Sequence, residues 1–115
     1  SGKEDAVSKA KNVEKVKICF NILPNSVATN GNKLVHIRII SPDGTTIYDE
    51  SSGSGKFSFE GKETLYSFTK TINYQGQELE ECSYFTRSGF YAAGKYQIEL
   101  YCDGYRIGTS SLTLD

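Results

Sequence analysis

From Val16 onward the apolar residues of this chain recur at every second position, and that period dictates strands. In "VKICFNI", Val16, Ile18, Phe20 and Ile22 share one face, opposite Lys17, Cys19 and Asn21. "KLVHIRIIS" places Val35, Ile37 and Ile39 together, against His36 and Arg38. "TIYDE" reads as a short strand and "KFSFEG" as another. "ETLYSFTKTINY" reads as one long strand with Tyr66, Phe68, Ile72 and Tyr74 on one face. "LEECSYF", "KYQIELYC" and "YRIGTSSLTL" complete about eight segments, each bounded by Gly, Pro, Asn or Asp. Short strands at near-regular spacing, with no helical period between them, predict an all-β antiparallel sandwich or barrel of about seven or eight strands.

The turn chemistry agrees with this division. "SPDGT" carries Pro42 and Gly44 where a type I turn uses them. "SSGSG" reads as a loop tip, because alternation resumes at once after it. Asp103–Gly104 between two alternating runs predicts a tight hairpin. In that hairpin Tyr96, Ile98, Leu100 and Cys102 point one way, and Leu112 and Leu114 join the same core from the adjacent strand. The closing hairpin is therefore expected to be structural.

A chain of 115 residues fits one core. The expected division is a sandwich domain over 14–115 behind a tail over 1–13. The tail, "KEDAVSKAKNV", is charged, with Ala6, Ala10 and Val13 at heptad-like spacing. It is expected to be either a short flexible or helical end, or the last turns of an upstream coiled coil that would make an oligomer. The opening Ser-Gly reads as the start of a fragment of a longer protein. Thirteen basic residues against fourteen acidic ones give a net charge of -1, without the basic excess of a nucleic-acid binder. No apolar run reaches the ~20 residues of a membrane helix, so no membrane insertion is expected of this fragment. No compartment is spelled out. A cell-envelope or extracellular setting is the expectation, with the cytoplasm as the alternative.

"AAGKYQIEL" carries a resemblance. Gly94, Tyr96 and Ile98 match the start of the sixth strand of immunoglobulin-like domains, where the Tyr forms the tyrosine corner. The resemblance implies that Tyr96 is buried with its hydroxyl bonded to the preceding loop. It also puts Ile98 where antibody domains carry a Cys, facing Ile37 or Ile39. The chain has no Trp for the third strand. "KLVHIRIISPDGTTIY" with "GKYQIELYCDGYRIGTSSLTL" further resembles uncharacterised bacterial C-terminal sandwich domains that follow a coiled coil, over residues 16–114. That likeness implies an immunoglobulin-like module at the end of a stalk and no chemistry. Three cysteines, Cys19, Cys82 and Cys102, lack any C-x-x-C spacing and read as buried small hydrophobes. In the usual immunoglobulin order the strands of Cys19 and Cys82 lie about two spacings apart, roughly 10 Å, so no disulfide is expected.

Candidate sites are few. His36, the one histidine, should face outward and not serve a catalytic pair. Glu78 and Glu80 share a face by alternation, near Glu81, and read as a solvated surface. No metal cluster is expected, although a weak calcium site at Asp43 or Asp49 stays open. "SSGSGKFSF" lacks the spacing of a phosphate-binding loop and is followed by a strand. Phe90 and Tyr91, in a loop, and Tyr101 and Tyr105, on faces away from Tyr96, Ile98 and Leu100, are the candidate binding aromatics. Gly94, Tyr96, Ile98, Asp103 and Gly104 are the structural set. The expected function is a non-catalytic protein-interaction or structural module, without cofactor. The alternative is a carbohydrate-binding module using surface tyrosines.

Overall fold

The structure, a computed structural model, describes residues 15–23, 30–86 and 92–114. The tail 1–13 and the loop positions Phe90 and Tyr91 lie outside those residues. Among the described residues eight strands form: β1 (Lys15–Ile22), β2 (Gly31–Ile40), β3 (Gly55–Phe59), β4 (Lys62–Tyr66), β5 (Phe68–Tyr74), β6 (Leu79–Thr86), β7 (Gly94–Cys102) and β8 (Tyr105–Leu114). All pairings are antiparallel. A four-stranded sheet runs β5-β2-β7-β8, and two two-stranded pieces, β1-β6 and β3-β4, accompany it.

The alternation decides which face each piece covers. Val35, Ile37 and Ile39 of β2, Phe68, Ile72 and Tyr74 of β5, and Tyr96, Ile98, Leu100 and Cys102 of β7 are all buried on one face of the sheet. The β1-β6 ribbon supplies Ile18, Phe20, Ile22 and Phe85 to the same core. Phe68 and Phe85 stack across it with centroids 5.6 Å apart. Each such side chain contributes about 1.5–3 kcal/mol on burial, so ribbon and sheet form a sandwich. Leu114 of β8 is buried and Leu112 packs at the rim of this core.

The hairpin joining β7 to β8 turns at Asp103 (φ 53°) and Gly104 (φ 83°), the left-handed pair that a two-residue turn requires. A bulge between Leu100 and Tyr101 leaves Ile107 as the extra residue of β8. Gly94 opens β7 at φ 132°, and a Cβ there would lie 2.8 Å from Pro42 Cγ. The Ser41–Gly44 turn therefore rests directly on the backbone that leads into Tyr96. The Tyr96 hydroxyl donates to the Ala92 carbonyl at 2.6 Å, four residues back.

Three expectations are corrected. "TIYDE" is no strand: Thr46 makes an isolated bridge to Ile40, Ile47 is buried, and Asp49 caps a short 3-10 turn over Glu50–Ser52. The long "ETLYSFTKTINY" strand breaks at Ser67. That residue is fully buried and its hydroxyl replaces ladder bonds, donating to the Ile47 carbonyl at 2.7 Å and accepting from the Ile39 amide at 2.9 Å. Past this break the chain changes sides. Phe68 enters the core, while Tyr66 lies with the β3-β4 hairpin on the opposite face of the sheet.

The third correction concerns the cysteines. Cys19 and Cys82 form a disulfide, with Cα atoms 4.0 Å apart. The expectation failed because it placed a strand between theirs. β1 instead pairs directly with β6, in a register that sets Cys19 opposite Cys82. Cys102 is free and buried, as expected of a small hydrophobe. Burial pushes its thiol up from the ordinary range.

Candidate interaction surface

The β3-β4 hairpin is amphipathic by its own alternation. Phe57 and Phe59 fall on one side, and exposed Lys56 and Ser58 fall on the other. Glu60 (φ 51°) and Gly61 (φ 78°) turn it tightly. With a face to bury and only five residues per strand, the hairpin lies against the outer face of the four-stranded sheet. There Phe57 stacks on His36 at 4.6 Å with a 9° interplanar angle, and Tyr66 meets His36 edge-on at 4.9 Å. Tyr101 is held between Phe57 at 5.2 Å and Phe59 at 4.7 Å. Aromatic pairs at these distances are worth roughly 0.5–1.5 kcal/mol beyond their buried area.

Arg38 anchors the other side of the hairpin. Its Nε donates to the Leu65 carbonyl at 2.9 Å, its Nη1 to Glu99 Oε1 at 2.8 Å and its Nη2 to Thr46 Oγ1 at 2.9 Å. The Tyr101 hydroxyl also donates to Glu99 Oε1, at 2.7 Å, and Arg106 Nη1 lies 3.6 Å from Glu99 Oε2. A planar guanidinium whose three nitrogens all find acceptors fixes the positions of the groups around it. Burial pushes the Tyr101 phenol above its ordinary value, reinforced by its bond to Glu99. Burial also lowers His36, so its imidazole is neutral at neutral pH and stacks as an aromatic ring.

These contacts redistribute the sequence-derived candidates. Tyr101 was expected at the surface but is 3% exposed, because the hairpin covers the face it points to. His36 does face outward from the core, yet the same hairpin covers it. Tyr105 is 70% exposed. It stands beside a cleft of about 640 Å³ lined by Phe59, Glu60, Asp103, Gly104 and Arg106, where the two hairpin turns meet. Lys33 reaches Asp103 there at 3.1 Å. Phe90 and Tyr91 lie outside the described residues. Gly94, Tyr96, Ile98, Asp103 and Gly104 take the structural positions described above.

Asp43 and Asp49 are engaged within their own turns. Asp43 Oδ1 accepts from the Ser41 hydroxyl, from the Thr45 amide at 3.0 Å and from Thr45 Oγ1 at 2.7 Å. Asp49 Oδ1 accepts from Ser51 N at 3.1 Å and Ser51 Oγ at 2.6 Å. Glu78 precedes β6, Glu80 is exposed, and Glu81 lies 3.9 Å from Lys70. Among the described residues no group of three or more His, Cys, Asp or Glu side chains is placed to hold a metal. No helix among them is long and apolar enough to cross a membrane.

Sequence reasoning missed the Arg38–Glu99–Tyr101 network and the aromatic setting of His36. The available signal was the "FSFEGKETLY" hairpin itself, whose Phe57 and Phe59 need a surface to cover. One family model spans the chain: residues 1–115 match the Domain of unknown function (DUF8428). No curated protein and no solved structure matches.

Proposed function

The chain belongs to that family, DUF8428, whose description assigns no activity, and from its own geometry we propose a non-catalytic protein-interaction or structural module of a larger bacterial protein. One observation carries this reading. The side chains best suited to chemistry on the sheet, His36, Arg38, Glu99 and Tyr101, are engaged in holding the β3-β4 hairpin, while Tyr105 projects 70% exposed beside the turn cleft. An exposed tyrosine flanked by Arg106, Asp103 and Glu60 has the amphipathic character of an interface anchor.

The immunoglobulin-like kinship belongs to the same proposal. The order β5-β2-β7-β8 corresponds to C′-C-F-G of a variable-type sheet, and β1-β6 to the B-E pair of the facing sheet. In that correspondence β1, not β2, takes the B position. The bond from Tyr96 to the Ala92 carbonyl supports the tyrosine-corner assignment. The stalk placement rests on the resemblance alone.

Photo-crosslinking from a probe at the neighbouring position 106 in the full-length protein tests the reading. A specific protein adduct lost on Tyr105→Ala supports it. Binding on a glycan array that is lost in the same variant would favour the carbohydrate alternative. Among the described residues the exposed aromatics Tyr84 and Tyr105 sit on different sheets, so a sugar would meet one ring and not a flat row. Turnover of any substrate that survives repeated purification would overturn the non-catalytic reading.

A further inference from the structure

Like the β3-β4 hairpin, the β1-β6 ribbon is a separate two-stranded piece, but it alone of the two carries a disulfide between its strands. Neither of its strands pairs with the four-stranded sheet; it is held there by side chains alone. Alternation puts Ile18, Phe20, Ile22 and Phe85 inward, so the intervening positions Lys17, Cys19, Asn21, Glu80, Cys82 and Tyr84 face solvent. Cys19 and Cys82 are both exposed, and their bond is the covalent tie between strands separated by 63 residues of chain. The third cysteine, Cys102, is shut in the core on the opposite sheet and cannot compete for either sulfur.

We propose that the Cys19–Cys82 disulfide is a reversible redox latch on the ribbon, opened by a dithiol reductant while the four-stranded sheet stays folded. Solvent-exposed disulfides are the ones that reductants reach without prior unfolding, because attack needs a thiolate to approach a sulfur directly. The thiolate of the dithiol attacks one sulfur, breaking the Cys19–Cys82 bond and forming a mixed disulfide. Its second thiolate then attacks its own sulfur in that mixed disulfide and expels the remaining cysteine thiolate. The domain gains two electrons and two protons, and the reductant leaves as a cyclic disulfide. Reduction leaves the ribbon's two strands joined by their ladder and core packing alone, and a two-stranded piece is marginal by itself, so the ribbon opens more often. Its transient opening uncovers Phe68, on which Phe85 stacks.

The test is native-state reduction of the full chain with dithiothreitol, followed by alkylation and mass mapping. The expected result is two labelled cysteines, Cys19 and Cys82, with Cys102 unlabelled and the circular dichroism native. Proteolysis within β1 and β6 should then speed up roughly 30-fold or more, because the loop constraint on the open state has gone. Reoxidation should restore the slow rate. No labelling until the protein unfolds, labelling of Cys102 together with the other two, or a proteolysis rate unchanged after reduction would each overturn the latch.

Discussion

The four-stranded sheet wears a two-stranded cover on each face, and the two covers are fastened by different chemistry. The β1-β6 ribbon, its two strands joined by a disulfide, is fastened by four buried aliphatic and aromatic side chains. The β3-β4 hairpin brings half-buried rings and a backbone carbonyl that meets Arg38 of the sheet. Apolar burial is non-directional and scales with area, so the ribbon's hold depends on volume and packing. The hairpin's hold depends on geometry, since Arg38 Nε must meet the Leu65 carbonyl while Glu99 and Thr46 hold the guanidinium in place. One sheet thus presents an apolar face under the ribbon and, under the hairpin, a face where Arg38, Glu99 and Tyr101 bond one another. Opening of the hairpin should precede opening of the ribbon in hydrogen exchange, because its side chains are less buried.

The comparison is broken most completely by removing the sheet both covers rest on. Deleting residues 106–115 strips β8 from β7 and takes away Leu112 and Leu114. Losing two such side chains costs roughly 4 kcal/mol by transfer alone, a large part of the ~5–15 kcal/mol that holds a domain. The truncated chain should unfold or aggregate, as read by circular dichroism and light scattering. A folded monomer that loses only a binding function would make β8 a functional strand. Next in size is a matched pair of substitutions. Phe85→Ala under the ribbon should cost about 3–5 kcal/mol, as a fully buried Phe does. Phe57→Ala in the hairpin should cost about 1–2 kcal/mol, because the ring is half-buried and its partners can relax. Equal costs in urea titration would show that the two covers are fastened alike.

Much of this arrangement is legible in the sequence, and the failures have physical causes. Strand positions follow from alternation, which is local, so β1, β2, β6, β7 and β8 fall where the apolar residues predict. The Asp103–Gly104 turn follows from backbone preference alone. Strand order is not local. "VKICFNI" and "LEECSYF" carry no mark that they pair, and so Cys19 and Cys82 gave no sign of meeting. Ser67 deceived in another way. A serine between Tyr66 and Phe68 keeps the alternation intact, yet its buried hydroxyl ends one strand and starts another. The fate of Tyr101 followed from that error, because a continuous strand leaves no hairpin to cover it. Tyr105 escaped, since it lies beyond the turn.

A smaller effect separates the end of the sandwich from either cover. Tyr96→Phe removes one hydroxyl bond to the Ala92 carbonyl and leaves the ring in the core. It should cost ~1 kcal/mol, the usual value for one buried hydrogen bond. Neither cover touches that bond, so its loss should add independently to Phe85→Ala or Phe57→Ala. An unchanged melting midpoint would remove the tyrosine corner from the argument for immunoglobulin-like kinship.

The smallest effect is confined to the turn that precedes both the hairpin and Gly94. Asp43 is fully exposed, yet hydrogen bonds from the Ser41 hydroxyl, then the Thr45 hydroxyl and amide, lower its carboxyl from 3.8 to about 2. A carboxylate whose folded value is depressed stabilises the fold above its unfolded value, and that contribution is lost as pH falls through the folded one. The window therefore runs from pH about 4 down to about 2. Across it the Ser41–Thr45 turn should loosen while both covers keep their contacts. The Asp43 carboxyl carbon, followed by NMR, should titrate with a midpoint near 2, and the Thr45 amide should shift with it. Asp43→Asn keeps an acceptor oxygen at the same position, so the turn should persist and the Thr45 amide should stop responding to acid. A midpoint at the ordinary 3.8 would mean that the three hydrogen bonds do not hold in solution. The turn would then be fixed by Pro42 against Gly94, through shape and not through charge.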